Sequence, residues 1–532
     1  DPGNGAVIRL QGDIDTTAGA AGSFRVEAPV VLTGNVRIDT DGDAGGSVTP
    51  DDTGGAVGFD DTATIAGNGL YGDTTGTGGP WDLIVNAPGA NLTFGENQGA
   101  ANGRIGGDGG SARLDAVTIE GAANVVFNGE VFAASLTQSA GSGSTRFNSA
   151  VDLSGAASVT TTSLVDVNAT LAADGGVDID STGGSVTISA PMTTGAGAIT
   201  VDSDSGTTIT DAADITTDSG AVTIGGTLTG TLDLGAEITT VGANVRFARA
   251  VELSDEVTIS TGSAVGGTVE FEGDLSGGGA AENLTITSGD GNVLFGTTVG
   301  GAAAVGEVAV TTAAGSVTFT GAVAGAADVG NISITTETGA VSFGDAVASF
   351  GSVGDIAVDT AGASVTFLST VGSLGTVGAI SIDTETGAGS GSAGDVTVSG
   401  AVDRAGAVTV DAREGGAGAV EFSQPIGGSV AITSITIDAD SVVLNGIGNG
   451  GPGSSGNAVV TASDLITLNS AGGADYWVGD GATVADAAGA TQSYDADGGA
   501  GRGVLMVPAD ASATQYQAPG GFTFGNLALD DG

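Results

Sequence analysis

The stretch EVAVTTAAGSVTFTGAVAGAADVG at 307–330 is followed at once by NISITTETGAVSFGDAVASFGSVG at 331–354, the same apolar pattern displaced by 24 residues. The register holds without a gap over neighbouring copies. Leu284, Val308, Ile332, Ile356 and Ile380 form one row, and Ile286, Val310, Ile334, Val358 and Ile382 form a second. Val293, Val317, Val341 and Val365 form a third, each two residues before Phe295, Phe319, Phe343 and Phe367. Two more rows are Val299, Val323, Val347, Val371 and Val305, Val329, Val353, Val377, the latter followed by Gly306, Gly330, Gly354 and Gly378. Apolar residues alternate with Ser, Thr, Ala or Asp, a period of two that belongs to strands and not to helices. Turns of the AAG, ETG and GAAD type separate the strands, and glycine supplies the positive φ that a sharp corner needs.

Short strands in a unit of two dozen residues, repeated in register, predict one coil of a parallel β-solenoid. Coils stacked ~4.8 Å apart place each inward Val, Ile or Phe on its counterpart in the next coil, as continuous ladders. Looser copies put Val177, Ile199 and Val222 at spacings of 22 and 23, so coil length drifts through the turns. The fold class is therefore all-β, a single long parallel β-helix (β-solenoid) of about 24 residues per coil. Along the chain, 1–33 reads as N-terminal strands or a cap, and 34–113 as solenoid with irregular loops. Residues 114–470 read as regular β-solenoid, with the in-register block at 283–382, and 471–532 as an aromatic-rich C-terminal cap or docking segment.

Glycine supplies 99 residues and aromatics 4%, a mixture that builds many thin strands and no bulky core. The net charge is −51, with neither lysine, histidine nor cysteine, and all basic charge on eleven arginines. That field repels nucleic acid and anionic lipid and attracts divalent cations. The composition excludes histidine and thiol catalysis, a phosphate-loop lysine and Schiff-base chemistry. No apolar run approaches the roughly 18 residues of a membrane-spanning helix, so no membrane insertion is expected. Paired carboxylates remain as the chemistry of a β-helix polysaccharide lyase or hydrolase, but the Asp-bearing middle has almost no aromatic platform for a sugar. The expectation is that the protein is not an enzyme and requires no cofactor.

The strongest acidic cluster is RIDTDGDAGG, with Asp39, Asp41 and Asp43 at alternate positions like the opening of a calcium loop. Ala44 stands where the loop's glycine belongs and Pro50 where its last acid belongs, so a solvated acidic loop is the preferred reading and Ca²⁺ the alternative ligand. Aromatic and apolar residues gather near the C-terminus, where Tyr476, Trp477, Tyr516, Phe522, Phe524, Leu527 and Leu529 form a candidate assembly interface. The closing stretch QAPGGFTFGNLALDDG either folds back as the last strand of its own solenoid or completes a neighbouring subunit. A flat threonine ladder could order water, but the outward residues Thr285, Ala309, Ser333, Ala357 and Ser381 do not form one.

The phrases LTITSGDGNVLFGTTVGG, VFAASLTQSAGSGSTRFNSAVDLSGA and VVLTGNVRIDTDGDAGG resemble the β-strand repeats of filamentous-haemagglutinin-like bacterial surface proteins, including large adhesins and autotransporter passengers. The resemblance extends over nearly the whole chain. It implies secretion to the cell surface or the extracellular space, a right-handed β-helix, and a role in attachment or in a biofilm matrix. The expected function is a non-enzymatic structural solenoid, the subunit of an extracellular filament or an adhesin stalk, polymerising with itself end to end. The alternative is an adhesin module that binds polysaccharide or another surface ligand through loops 34–113.

Overall fold

The computed structural model describes residues 8–16, 22–40, 56–59, 65–66, 81–97, 103–107, 113–226, 230–263, 265–385, 393–412, 418–424, 426, 430 and 432–444, with the strands Asn457–Leu468 and Thr483–Ala485. Among them there is no helix, and the strands form parallel coils of a β-solenoid of about 24 residues per coil. Contacts group the chain into two compact units, Asp1–Arg249 and Ala250–Gly532.

In the second unit the 24-residue rows are columns of bonded strands. Leu284 pairs with Val308, Val308 with Ile332, Ile332 with Ile356 and Ile356 with Ile380. Three-residue strands carry the valine and phenylalanine rows, Val293–Phe295, Val317–Phe319, Val341–Phe343 and Val365–Phe367. The remaining valines form single-residue bridges, Val299 through Val371 and Val305 through Val377. In one coil Val308, Val310, Val317, Phe319, Val323 and Val329 are each at most 2% exposed. These six large apolar side chains form most of the core of the coil, and β-branched residues suit it because their stiff side chains fit a pleated, crowded face.

Corners explain the polar residues that point inward. Thr312, Thr336 and Thr360 are buried at the end of their strands, and each donates its hydroxyl to the carbonyl oxygen three residues on, Gly315, Gly339 or Ala363, at 2.6 Å. The hydroxyl satisfies a backbone acceptor that the turn would otherwise bury without a partner. On the outside, Asn331 Oδ1 accepts the backbone N–H of Asp355 in the next coil at 2.9 Å, and Asp355 Oδ1 accepts that of Ala379 at 2.7 Å. Each of these side chains ties one coil to the next.

The phenylalanine row is a stack of rings. Centroids lie 4.6 Å apart from Phe295 to Phe319, 4.8 Å from Phe319 to Phe343 and 4.5 Å from Phe343 to Phe367, with planes within 9° of parallel. Phe343→Ala removes a ring 1% exposed and its contacts on both faces, so it is expected to destabilise this unit by about 3–5 kcal/mol in urea unfolding. Phe343→Leu, which keeps the apolar volume, should cost far less. One step further the stack is interrupted by Val398, in register between Phe367 and Phe422, and these three residues help line a small apolar cavity.

The first unit uses the same construction with other coil lengths. Val125, Thr145 and Val165 follow at 20 residues, Val186 and Thr207 at 21, whereas Val57, Leu92 and Val125 follow at 35 and 33. Phe59, Phe94, Phe127 and Phe147 stack at 5.1 Å per step. At the following turn Asn168 donates to Asn148 at 3.0 Å, and Asn148 to Asn128 at 2.8 Å, an amide ladder on the corner. Its chain begins with β1 (Ile8–Asp15), β2 (Phe24–Val26), β3 (Val30–Asp39) and β4 (Val57–Phe59).

Candidate functional site: the first coil and the carboxylate column

β1 is bonded to β3, and β2 to β4, in parallel register. β2 is the terminal strand of its sheet. Ile8, Leu10 and Ile14 of β1 are only half-buried, whereas their register partners Val30, Leu32 and Ile38 in β3 are fully buried. Phe24 is likewise half-buried, and it meets Phe59 edge-on at 6.0 Å and 66° rather than flat. Among the described residues of the first coil, Ile8, Leu10, Ile14 and Phe24 are thus less covered than their register partners, whereas Val26 and Ala28 are buried.

The second feature is a column of carboxylates on the outer face of the second unit. Asp359 pairs in register with Asp383, Asp383 with Asp411, and the backbone register continues to Asp438. In preceding coils the same column is Thr287, Thr311 and Thr335. The outward residues Thr285, Ala309, Ser333, Ala357 and Ser381 occupy the neighbouring column and are mixed. A short threonine ladder thus exists, one pleat away from the column that the sequence reading considered.

Partial burial, and then the charge of Asp383, push the Asp359 carboxyl above its ordinary range. A carboxyl raised in the folded chain binds its proton more tightly there than in the unfolded chain. Its stabilising share is fully present below the unfolded value of ~3.9 and is lost as pH rises through the raised value. Asp359→Asn is expected to raise the melting temperature at pH 7 by about 1 °C. The gain should disappear at about pH 3, where both chains are neutral at this position. Calorimetry at the two values checks it.

Cations in the first unit are engaged by carboxylates of other coils. Arg37 contacts Glu120 at 2.6 Å, Arg113 contacts Asp152 at 2.8 Å and Arg146 contacts Asp166 at 3.0 Å. Buried Arg249 bonds Asp202 and donates to the Ser203 carbonyl at 2.7 Å. Burial, followed by Asp202 and Asp178, raises the neighbouring Asp180 carboxyl. Arg249 thus offsets part of a stacked acidic group.

Of the residues singled out in the sequence, Asp39 ends β3 with its carboxylate 3.1 Å from Arg37 and accepting from Asn86 at 3.3 Å. A guanidinium already occupies this carboxylate. Asp41 and Asp43 lie outside the described residues, as do Tyr476, Trp477, Tyr516, Phe522, Phe524, Leu527 and Leu529. Among the described residues no group of three or more acidic side chains has the geometry to hold a metal ion. The carboxylate column and the lesser burial of the first coil were not read from the sequence; the 24-residue register, applied to the outward positions, contains the column's step from Asp359 to Asp383 but not the longer one to Asp411. No protein-family model, curated protein or solved structure matches the chain.

Proposed function

We propose that the chain is a non-enzymatic structural element of the bacterial exterior, a subunit of a fibre or of an adhesin stalk, that joins copies of itself end to end. The observation that carries this reading is that the coils are interchangeable. Val308, Ile332, Ile356 and Ile380 lie in one bonded column, so each coil offers the next the same edge and the same apolar face. Stability in such a stack is a sum of coil and neighbour terms, and length can grow without redesign. Stacked parallel coils are compatible with β-helix repeat surface proteins, and the resemblance of the repeat phrases to filamentous-haemagglutinin-like proteins supports the same role.

Electrostatics supports growth at ends over lateral clumping. With a net charge of −51, the flanks of two copies repel, and salt or divalent cations screen that repulsion. Sedimentation velocity over a wide range of protein concentrations tests the reading. Species whose mass rises with concentration are expected, and a monomer at every concentration overturns it.

A further inference from the structure

We propose that two copies pair side by side and antiparallel through one corner of the second unit, Phe350 of each meeting Leu374 of the other and Arg404 meeting Asp328. The contact lies on the flank and goes beyond the end-to-end reading; neither needs the other.

The corner is built alike in successive coils. Ala324, Ala348 and Gly372 open it with φ of 51°, 54° and 74°, and the N–H groups of Gly351 and Gly375 donate to the carbonyls of Ala324 and Ala348 at 3.1 and 3.2 Å. A Cβ on Gly375 would lie 1.8 Å from the carbonyl oxygen of Gly351, and one on Gly351 would lie 2.2 Å from that of Ala327. Ala326, Phe350 and Leu374, each one residue earlier, therefore form one column. Phe350 is 69% exposed and Leu374 58%.

The neighbouring column carries the charges. Val305, Val329, Val353 and Val377 donate to the carbonyls of Asp328, Ser352, Thr376 and Arg404 at 2.9–3.1 Å, which places these four acceptors in one column. Asp328 is exposed, and its Oδ1 accepts the Ser352 N–H at 2.7 Å. At the other end Arg404 belongs to a shortened corner, because Val371 pairs with Val402 and Val377 with Ala405. Its Nε is buried without a hydrogen-bond partner, and among the described residues no carboxylate pairs with it. Arg25, Arg37, Arg104, Arg113, Arg146 and Arg249 of the first unit all have such a partner. Between the two charges, residues 346–353 and 370–377 contain no charged side chain, a neutral window in a chain of net charge −51.

The order of these columns names the occupant. A two-fold axis across the coils reverses their order, and in such a contact residue i meets j while j meets i. Centred between the coils of Phe350 and Leu374, it lays Phe350 on Leu374 of the second copy, Ser352 on Thr376 and Asp328 on Arg404, each twice. Apolar meets apolar, and both guanidinium groups gain a carboxylate. Within one chain Asp328 and Arg404 are three coil steps apart, ~14 Å at ~4.8 Å per step, too far to pair with each other.

The test exchanges the charges in the full-length chain and reads the dissociation constant of the pair by sedimentation equilibrium. Arg404→Asp and Asp328→Arg are each expected to weaken pairing about tenfold or more, because like charges then face one another. The chain with both changes is expected to recover to within about threefold of the unaltered one, a rescue that no contact inside one chain supplies. Aspartate enters the left-handed region more readily than most residues, so Arg404→Asp keeps the corner. Phe350→Ser is expected to weaken pairing about tenfold and to leave the melting temperature unmoved. Single charge variants that pair like the unaltered chain, or a chain with both changes that pairs no better than either, overturn the contact. Where filaments form, the same series is read as their width in electron microscopy: paired for the unaltered and charge-exchanged chains, single for Arg404→Asp. Unaltered filaments of single width overturn the side contact and leave the fibre reading standing; pairs that stop at two do the reverse. An unaltered chain that stays monomeric overturns both.

Discussion

Removal of residues 331–354 is expected to leave the second unit folded, with a melting temperature within about 5 °C of the intact chain. Removal of residues 331–342 is expected to abolish its cooperative transition. In the first deletion Gly330 joins Asp355, and every column closes over the missing coil. Val308 meets Ile356, Val317 meets Val365 and Phe319 meets Phe367, each pair being one that the intact columns already bring together through a single intermediate coil. The loss is one coil and one neighbour contact. In the second deletion the chain advances by half a coil, so that Asp355 arrives at the place of Phe343 and Asp359 at the place of Val347. Both places are 1% exposed, and burying two carboxylates there without partners costs more than a domain's ordinary stability margin. Circular dichroism melts of the two deletions decide it.

Gly315→Ala is expected to destabilise the same unit by about 3 kcal/mol or more. A Cβ at Gly315 would lie 1.8 Å from the carbonyl oxygen of Gly291, and one at Gly339 would lie 1.9 Å from that of Gly315. Successive turns lie directly over one another here, so the side chain has no direction in which to yield except by separating the coils. The corner threonine bonds that end on Gly315 and Gly339 hold those turns in place. Gly58 is the control, because a Cβ there meets nothing within 4 Å. Gly58→Ala should be neutral or stabilise by about 0.5 kcal/mol through the unfolded chain. Urea unfolding of the two variants separates glycine needed for close approach from glycine that is merely present.

The contrast shows what the sequence makes legible. Columns such as Val308, Ile332, Ile356 and Val317, Val341, Val365 were readable because a strict 24-residue spacing and a period of two leave one arrangement for six inward residues. The spacings of 22 and 23 at Val177, Ile199 and Val222 also correspond to paired strands, since turns absorb an extra residue without moving the strand register. Less legible were the inward polar corners. Thr312 and Thr336 continue the alternation of their strands, but only the bond to the carbonyl three residues on shows why the position is not valine.

The functional features were harder to read for a different reason. Asp359 and Asp383 are ordinary outward residues in the linear sequence, and they become a stack only when two coils are superposed. Phe24 looks like any other strand phenylalanine until its tilt and exposure are compared with Phe59 and Phe94. Asp39 shows the opposite case: a pattern suggestive of calcium is, at its first acid, an ion pair with Arg37 and an amide contact with Asn86. Local motif and stacked neighbour give different meanings to the same carboxylate.

Electron microscopy of the purified full-length chain at high concentration and moderate salt tests the structural account most directly. Unbranched filaments of one width, lengthening with protein concentration, are the predicted result. Dispersed single particles at every concentration would contradict it.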